Sequence, residues 1–310
     1  MSEEFFLSKA FSQSMQPCTI VPYYYQASGV FDQDDITITT LITANRFKVF
    51  TELVKNYQGP ISVAIHAKPG ESSAVLDALH DLYTSTPAMS VFVDVHLVLS
   101  PFDRQLNTLR NVARFLARTN LVMMLDVDFA VCTEFRGDIR ASLNSDVGRL
   151  LKDGRAALVV PAFEYVKQQD GVDQSMFPKS KKNLLELVKD KRIDMFHRSW
   201  TPGHNSTDYP RFYAAPPGEV YKVKHYQAAY EPYVIFKKEG PPWCDERFVG
   251  YGGNKAACLY EMFLSGVSFY VLADHFLVHQ SHSYEEAARK LERKTNRKIY
   301  QEFREETCLR

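Results

Sequence analysis

Asp126 and Asp128 stand one residue apart in LVMMLDVDFAV (residues 121–131), at the end of an apolar run with the character of a buried strand. Read as one strand, with alternating side chains, the run projects both carboxylates to the same face. Two hard oxygen donors at that spacing can hold Mn2+ or Mg2+, and the ion can take the diphosphate of a nucleotide. The competing reading is a strand that stops in two solvated acids. His279, in FLVHQSH, follows the last apolar run, and a neutral imidazole there would complete a mixed oxygen and nitrogen shell, with His275 and His282 as rivals. A third stretch, WCDERFVGYGGNK (243–255), joins acids to a glycine-rich turn. Asp245 or Glu246 there can accept a proton from an attacking hydroxyl. Gly250, Gly252 and Gly253 would let a substrate approach the backbone. The alternative is an ordinary helix entrance with solvated acids.

The segments before Asp126 must supply the frame. ITITTLITA (36–44) is β-branched and apolar and predicts a buried strand. NRFKVFTELVKNYQG follows, with Phe47, Phe50, Leu53 and Val54 at helical spacing and Gly59 as the stop. PISVAIHA is the next strand, and GESSAVLDALHDLYTS the next helix, with Ser72 as its N-cap. MSVFVDVHLVLS reads as the third strand, FDRQLNTLRNVARFLART as the third helix and LVMMLDVDFAV as the fourth strand. This alternation predicts a parallel sheet with helices on both faces, in which ligands bind outside the carboxyl ends of the strands. Asp126 and Asp128 fall at such an end. There is no G-x-G-x-x-G or Walker A pattern to support a dinucleotide site or a P-loop. Beyond residue 131, AALVVPAFEYV, YEPYVIFKK and SFYVLADHFLVHQ read as strands, and SKKNLLELVKDKRI reads as a helix. RSWTPGHNSTDYPRFYAAPPGE reads as loop, and SYEEAARKLERKTNRKIYQEFREE as a charged amphipathic helix.

Lys and Arg number 37 against 37 Asp and Glu, a balance that argues against a bulk nucleic-acid binder. The 17 Tyr and 21 Phe suit a sugar-binding cleft and equally a packed core. The five cysteines, odd in number and without C-x-x-C spacing, argue against a zinc site or a dense disulfide framework and leave one or two bridges open. No apolar stretch reaches the roughly 18 residues of a membrane span. The acidic start, MSEEFFLSKAFSQSMQPC, lacks a signal-peptide pattern. The expectation is a protein soluble inside the cell, or one whose anchor lies outside this chain.

The motifs MMLDVDF, LVVPAFE, FPKSK, W-TPGHNSTDY, YEPYVI, DERFVGYGGNK and LVHQSH, in this order within residues 36–305, resemble the LARGE and β-1,4-glucuronyltransferase-1 glycosyltransferase family. The likeness is closest to the glucuronic-acid-transferring half of LARGE. It implies a GT-A type α/β fold. Residues 1–35 would be an irregular arm and 36–310 a single catalytic domain, with a nucleotide-binding half (36–131) fused to an acceptor-binding half (132–310). The implied activity is metal-dependent, inverting transfer of a sugar, glucuronic acid first, from a UDP-sugar to a glycan or glycoprotein hydroxyl, such as that of a xylose-terminated acceptor. Mn2+ would be the cofactor, with Mg2+ the alternative, and the Golgi lumen the location. Xylosyl or other pentosyl and hexosyl transfer, and a non-catalytic carbohydrate-binding protein on the same scaffold, are the alternatives. Carried over motif by motif, Asp126, Asp128 and His279 match the metal site. Thr43, Arg110 and Asn111, with His204 and Thr207 of GHNSTDY, match the donor site. Glu231, Tyr233, Gly252 and Asn254 match the acceptor site. Asp245 is the first choice of base, Glu246 its neighbour and Glu231 the next candidate. LARGE carries two catalytic halves and the family an anchor; this chain shows one half and no anchor.

Overall fold

The computed structural model describes residues 18–68, 70, 72–283 and 286–309, so residues 1–17 of the expected arm lie outside the described residues. The rest of that arm is not all irregular: Thr19–Tyr25 forms a strand, β1, that pairs antiparallel with a later strand at residues 93–99. The expected alternation then follows as β2 (Ile36–Ile42), α1 (Phe47–Tyr57), β3 (Ile61–Ala67), α2 (Ser73–Ser85), α3 (Pro87–Phe92), β4 (Val93–Leu99), α4 (Leu106–Leu116) and β5 (Leu121–Met124). Three local readings change. The start of the expected third strand is the short helix α3, because Pro87 in its first turn presets a helical φ. Ser72 precedes α2 but makes no capping bond. α1 ends at Gln58 in the left-handed conformation, not at Gly59. Gly59 instead leaves room for Arg136, whose Cζ would lie 2.5 Å from a Cβ there.

The remaining elements are β6 (Phe129–Val131), α5 (Phe135–Ser142), α6 (Asp146–Lys152), β7 (Ala156–Val160), β8 (Ala162–Tyr165), α7 (Lys181–Lys189), β9 (Ile193–Met195), α8 (Tyr209–Ala214), β10 (Val220–Lys222), β11 (Tyr233–Lys237), α9 (Asn254–Leu264), β12 (Ser268–Leu272), β13 (Leu277–His279) and α10 (Glu286–Cys308). Among the described residues they build a nine-stranded sheet, β1-β4-β3-β2-β5-β11-β7-β12-β10, and a four-stranded sheet, β6-β13-β8-β9. Only β4-β3-β2-β5 form the expected consecutive parallel block; β11 enters antiparallel between β5 and β7, so the large sheet is mixed. The segment expected as loop after Arg198 contains two 3-10 turns and the helix α8.

Three apolar runs that read as single strands each divide between the sheets. β5 passes to β6 across residues 125–128, β7 to β8 at Pro161, and β12 to β13 across 273–276. Pro161 has no N–H to give to a ladder, which suits a break at that point. Asp126 and Asp128 therefore occupy a crossing between two sheets, not the pleat of one strand. Along β5, alternation fills both faces: Leu121 and Met123 join Ile36, Ile38 and Phe50 on one side, while Val122 and Met124 join Val159, Phe236 and Phe269 on the other. Full burial of each such side chain contributes about 1.5–3 kcal/mol. α10 closes one end of the molecule, with Phe303 packed on Phe248 and Ala257. None of the described helices is long and apolar enough to cross a membrane. The strands of the second half continue the large sheet from the parallel block through β11, β7, β12 and β10, an α/β arrangement that agrees with the GT-A expectation.

Candidate active site

The carboxyl ends of the parallel block meet the amino end of β11 at Asp126. The register that pairs Val234 with Met124 brings Tyr233 beside it, and the Tyr233 hydroxyl donates to Asp126 Oδ2 at 3.0 Å. Lys255 Nζ, from the first turn of α9, lies 2.9 Å from the same oxygen, and Arg110 Nη2, from α4, lies 3.3 Å from Oδ1. Burial alone would raise the pKa of Asp126. Lys255 and then Arg110 outweigh it and hold the acid well below the usual carboxylate range. Lys255 also sits 3.9 Å from the Tyr233 ring centroid.

Asp128 belongs to a second cluster. β13 pairs antiparallel with β6 so that His279 stands opposite Phe129, and Gln280 N–H donates to the Asp128 carbonyl at 2.7 Å. One carboxylate oxygen of Asp128 and one ring nitrogen each of His279 and His282 lie within 4.8 Å of one another. Burial pushes the His279 imidazole down to about 3, so the ring is neutral and its nitrogen can coordinate. One hard oxygen and two imidazole nitrogens fit Mn2+ better than Mg2+, which favours oxygen donors. Arg46 flanks this cluster, its Nε 3.3 Å from Asp128 Oδ1 and its Nη2 2.9 Å from His282 Nδ1. Asp126, expected as a partner of Asp128, is outside the three-residue cluster, and His282, only a rival in the sequence, is inside it.

Several expected contacts turn inward. Asp245 is 2% exposed and engaged by Arg247, which also forks to Glu306. Glu246 accepts from Thr108 Oγ1 at 3.0 Å and from Asn111 Nδ2 at 2.8 Å. These acids hold α4 and α10 to the 243–255 segment, and the geometry presents neither to an acceptor. Asn111 is likewise spent on both backbone groups of Cys244. Thr207 Oγ1 is buried against the Tyr230 hydroxyl at 2.7 Å, so it shapes the loop and does not face a donor. Tyr233 and Asn254 are buried as well: Asn254 Oδ1 takes a 2.6 Å bond from Arg110 and its Nδ2 gives one to the Gly250 carbonyl. Both hydrogen-bond the charged groups around Asp126. Gly252 has φ +105°, and a Cβ there would meet Arg293 Cγ at 2.9 Å; the close approach it permits is that of α10, not of a substrate.

Other expected residues lie on segments that adjoin the two clusters. Thr43 is exposed three positions before Arg46, at the carboxyl end of β2. His204 is buried, its ring 6.4 Å from that of Tyr233 and stacked on it, and burial holds it well below its usual pKa. Glu231 is half-buried two residues before Tyr233, and the backbone N–H of Ala256, in the first turn of α9, favours its charged form. Burial raises its pKa, with Lys255 opposing and Asp126 adding. Sequence reasoning missed Lys255, Arg46 and His197. Lys255 follows the quoted glycine turn, and its place in a helix's first turn beside an acid-bearing crossing was the signal. His197 gave none: it lies at φ +54° with its ring stacked 3.9 Å from Phe196, and burial, then Lys255 and Arg289, push it down to about 4.

The sheet edge thus gathers acids, imidazoles and buried cations in one region. Comparison with known families defines the class. A family described as "Glycosyl-transferase for dystroglycan" matches residues 35–105 and 102–310. The chain belongs to that glycosyltransferase family. It is 33% identical over 254 residues to the xylosyl- and glucuronyltransferase LARGE2 of Rattus norvegicus, covering 80% of this chain and 35% of that one. It is 30% identical over 263 residues to LARGE1 of Danio rerio, covering 84% and 33%. The chain thus spans about a third of the length of the curated relatives it matches. Among solved structures, GalNAc-T7 with UDP, GalNAc and Mn2+ is similar at a TM-score of 0.45 and 12% identity, over 80% of this chain and 44% of that one.

Proposed function

We propose that this chain transfers glucuronic acid from UDP-glucuronic acid to a hydroxyl of a xylose-terminated glycan, with inversion. The supporting observation is the convergence of Asp128, His279 and His282 within 4.8 Å, flanked by Arg46, while Arg110 and Lys255 gather on the neighbouring Asp126. In this reading those three residues hold Mn2+, with Mg2+ the weaker alternative. A bound ion would offset charge building on the leaving UDP. Arg46, which flanks these residues, would pair with the diphosphate. Arg110 and Lys255, already gathered around one carboxylate, present the cationic pair suited to a uronate. Glu231 takes the proton of the attacking hydroxyl; its raised pKa makes it a stronger base than an ordinary carboxylate. Names of the relatives carry both xylosyl and glucuronyl activities, and the choice of glucuronic acid rests on the sequence resemblance. Location in the Golgi lumen is part of the same proposal.

The test is UDP release from UDP-glucuronic acid and from UDP-xylose, with methyl β-D-xylopyranoside as acceptor, with and without Mn2+. Release should need UDP-glucuronic acid, acceptor and metal together. H282A and D128N should lose Mn2+ affinity in calorimetric titration. Wild-type binding of Mn2+ at H282A would return the third ligand to Asp126. Donor binding without release would favour the non-catalytic carbohydrate-binding reading.

A further inference from the structure

We infer that Trp200 is the platform on which the acceptor sugar stacks, an inference that deepens the reading above and rests on it. The chain holds two tryptophans. Trp243 is already used, with the Arg114 guanidinium 4.1 Å from its ring centroid. Trp200 is 50% exposed, in a turn whose backbone leaves its helical path at that residue (φ −137°, ψ 72°). A Cβ at Gly203 would lie 2.8 Å from Trp200 Cζ3, so the missing side chain lets the backbone close against the six-membered ring.

A single exposed aromatic is ordinary on a protein surface; the attachment of this one is not. The Gly203 carbonyl accepts the Glu231 N–H at 2.8 Å, and Trp200 N–H donates to the His197 carbonyl at 2.8 Å. His204, next in the chain, stacks on Tyr233, whose hydroxyl holds Asp126. Phe196, at the other end of the turn, has its ring 4.9 Å from that of His279. The turn that carries the indole is therefore tied at both ends, to the metal cluster through Phe196 and to the segment of the proposed base through Gly203 and His204. A base must touch the acceptor hydroxyl, and the turn that carries Trp200 is bonded through Gly203 to the backbone of Glu231, which puts the indole on the segment nearest the acceptor in this reading. A pyranose offers a face of C–H groups flanked by hydroxyls, and a rigid amphipathic indole matches that face at little entropic cost. Trp200 thus determines acceptor affinity without taking part in bond making.

W243F leaves Trp200 as the sole tryptophan. Its emission should shift and saturate on titration with methyl β-D-xylopyranoside. In transfer assays W200A should raise the acceptor KM by about tenfold, with kcat at saturating acceptor and the KM for UDP-sugar nearly unchanged, because a contact made equally in ground and transition states is lost. W200F should recover part of that loss, and circular dichroism should show all three variants folded. An unshifted emission in W243F together with an unchanged acceptor KM in W200A would overturn the assignment. If wild type releases no UDP, the functional reading has failed, and the fluorescence titration alone decides whether Trp200 binds the sugar.

Discussion

At Asp245 the carboxylate meets Arg247 Nε and Nη2 through Oδ2, at 3.0 and 2.7 Å, and is 2% exposed. Glu231 keeps part of its surface, and the Ala256 backbone N–H favours its charged form. Type and spacing suggested Asp245 as the base; its neighbours favour Glu231 in the proposed reading, since an acid neutralised by a guanidinium is a poor proton acceptor. D245N should therefore cost stability, about 1–3 kcal/mol as Arg247 loses one of its two partners, and should leave kcat close to wild type. E231Q should do the reverse, lowering kcat by about 10²–10⁴-fold with little effect on the fold. Denaturant unfolding beside UDP release separates the two, and the opposite pattern would return the role to Asp245. The sign of the pH dependence follows. A base works only when ionised and burial raises Glu231 above 4.5, so the acid limb of the rate should lie above that of an ordinary carboxylate and vanish in E231Q.

Among the elements, the alternation from β2 to β5 was legible because each segment carries its own local period. The three sheet-to-sheet crossings were not, since a chain buried on both sides of a break shows one continuous apolar run. That is why Asp126 and Asp128 read as neighbours on one pleat and belong instead to separate clusters. It is also why His282 could not be preferred to Asp126: its approach to Asp128 depends on the β6–β13 register. The Cys244–Cys258 disulfide was equally silent, because no spacing rule marks a bridge that ties a loop to a helix 14 residues on. It anchors α9 to the segment that α4 grips through Asn111, and α9 carries Lys255 and Asn254. Closing a loop of that length contributes about 3 kcal/mol. C258S should lose about that much in urea unfolding. Dithiothreitol should destabilise wild type to the same extent and leave C258S unmoved; equal sensitivity in both would show that the bridge does not form.

For the whole molecule, equal numbers of acids and bases, 37 each, mean that no large net charge strains the fold near neutrality. Acid sensitivity then falls to buried groups that must stay neutral. His96 is 0% exposed in β4, and a register shift in β1 between Val21 and Tyr25 explains its use. At that irregularity the Tyr23 N–H donates to His96 Nδ1 at 3.0 Å, while Nε2 lies 3.0 Å from Ser62 Oγ, which itself donates to the Ala113 carbonyl. Protonating Nδ1 would set a donor against a donor. Burial accordingly lowers the imidazole from 6.5 to about 4. Its folded pKa is below its unfolded one, so between those values the unfolded chain binds the additional proton and stability rises with pH. The stabilisation is complete above about 6.5 and is lost as the pH falls toward 4. Urea unfolding measured stepwise from pH 7 to pH 4.5 should show a falling free energy with net proton uptake on unfolding. H96Q, which keeps an acceptor for Tyr23 but does not titrate, should be less stable at pH 7 and have a shallower slope. An unchanged slope would place the proton uptake on the other depressed imidazoles, His197, His204, His275 and His279, and free His96 of the role.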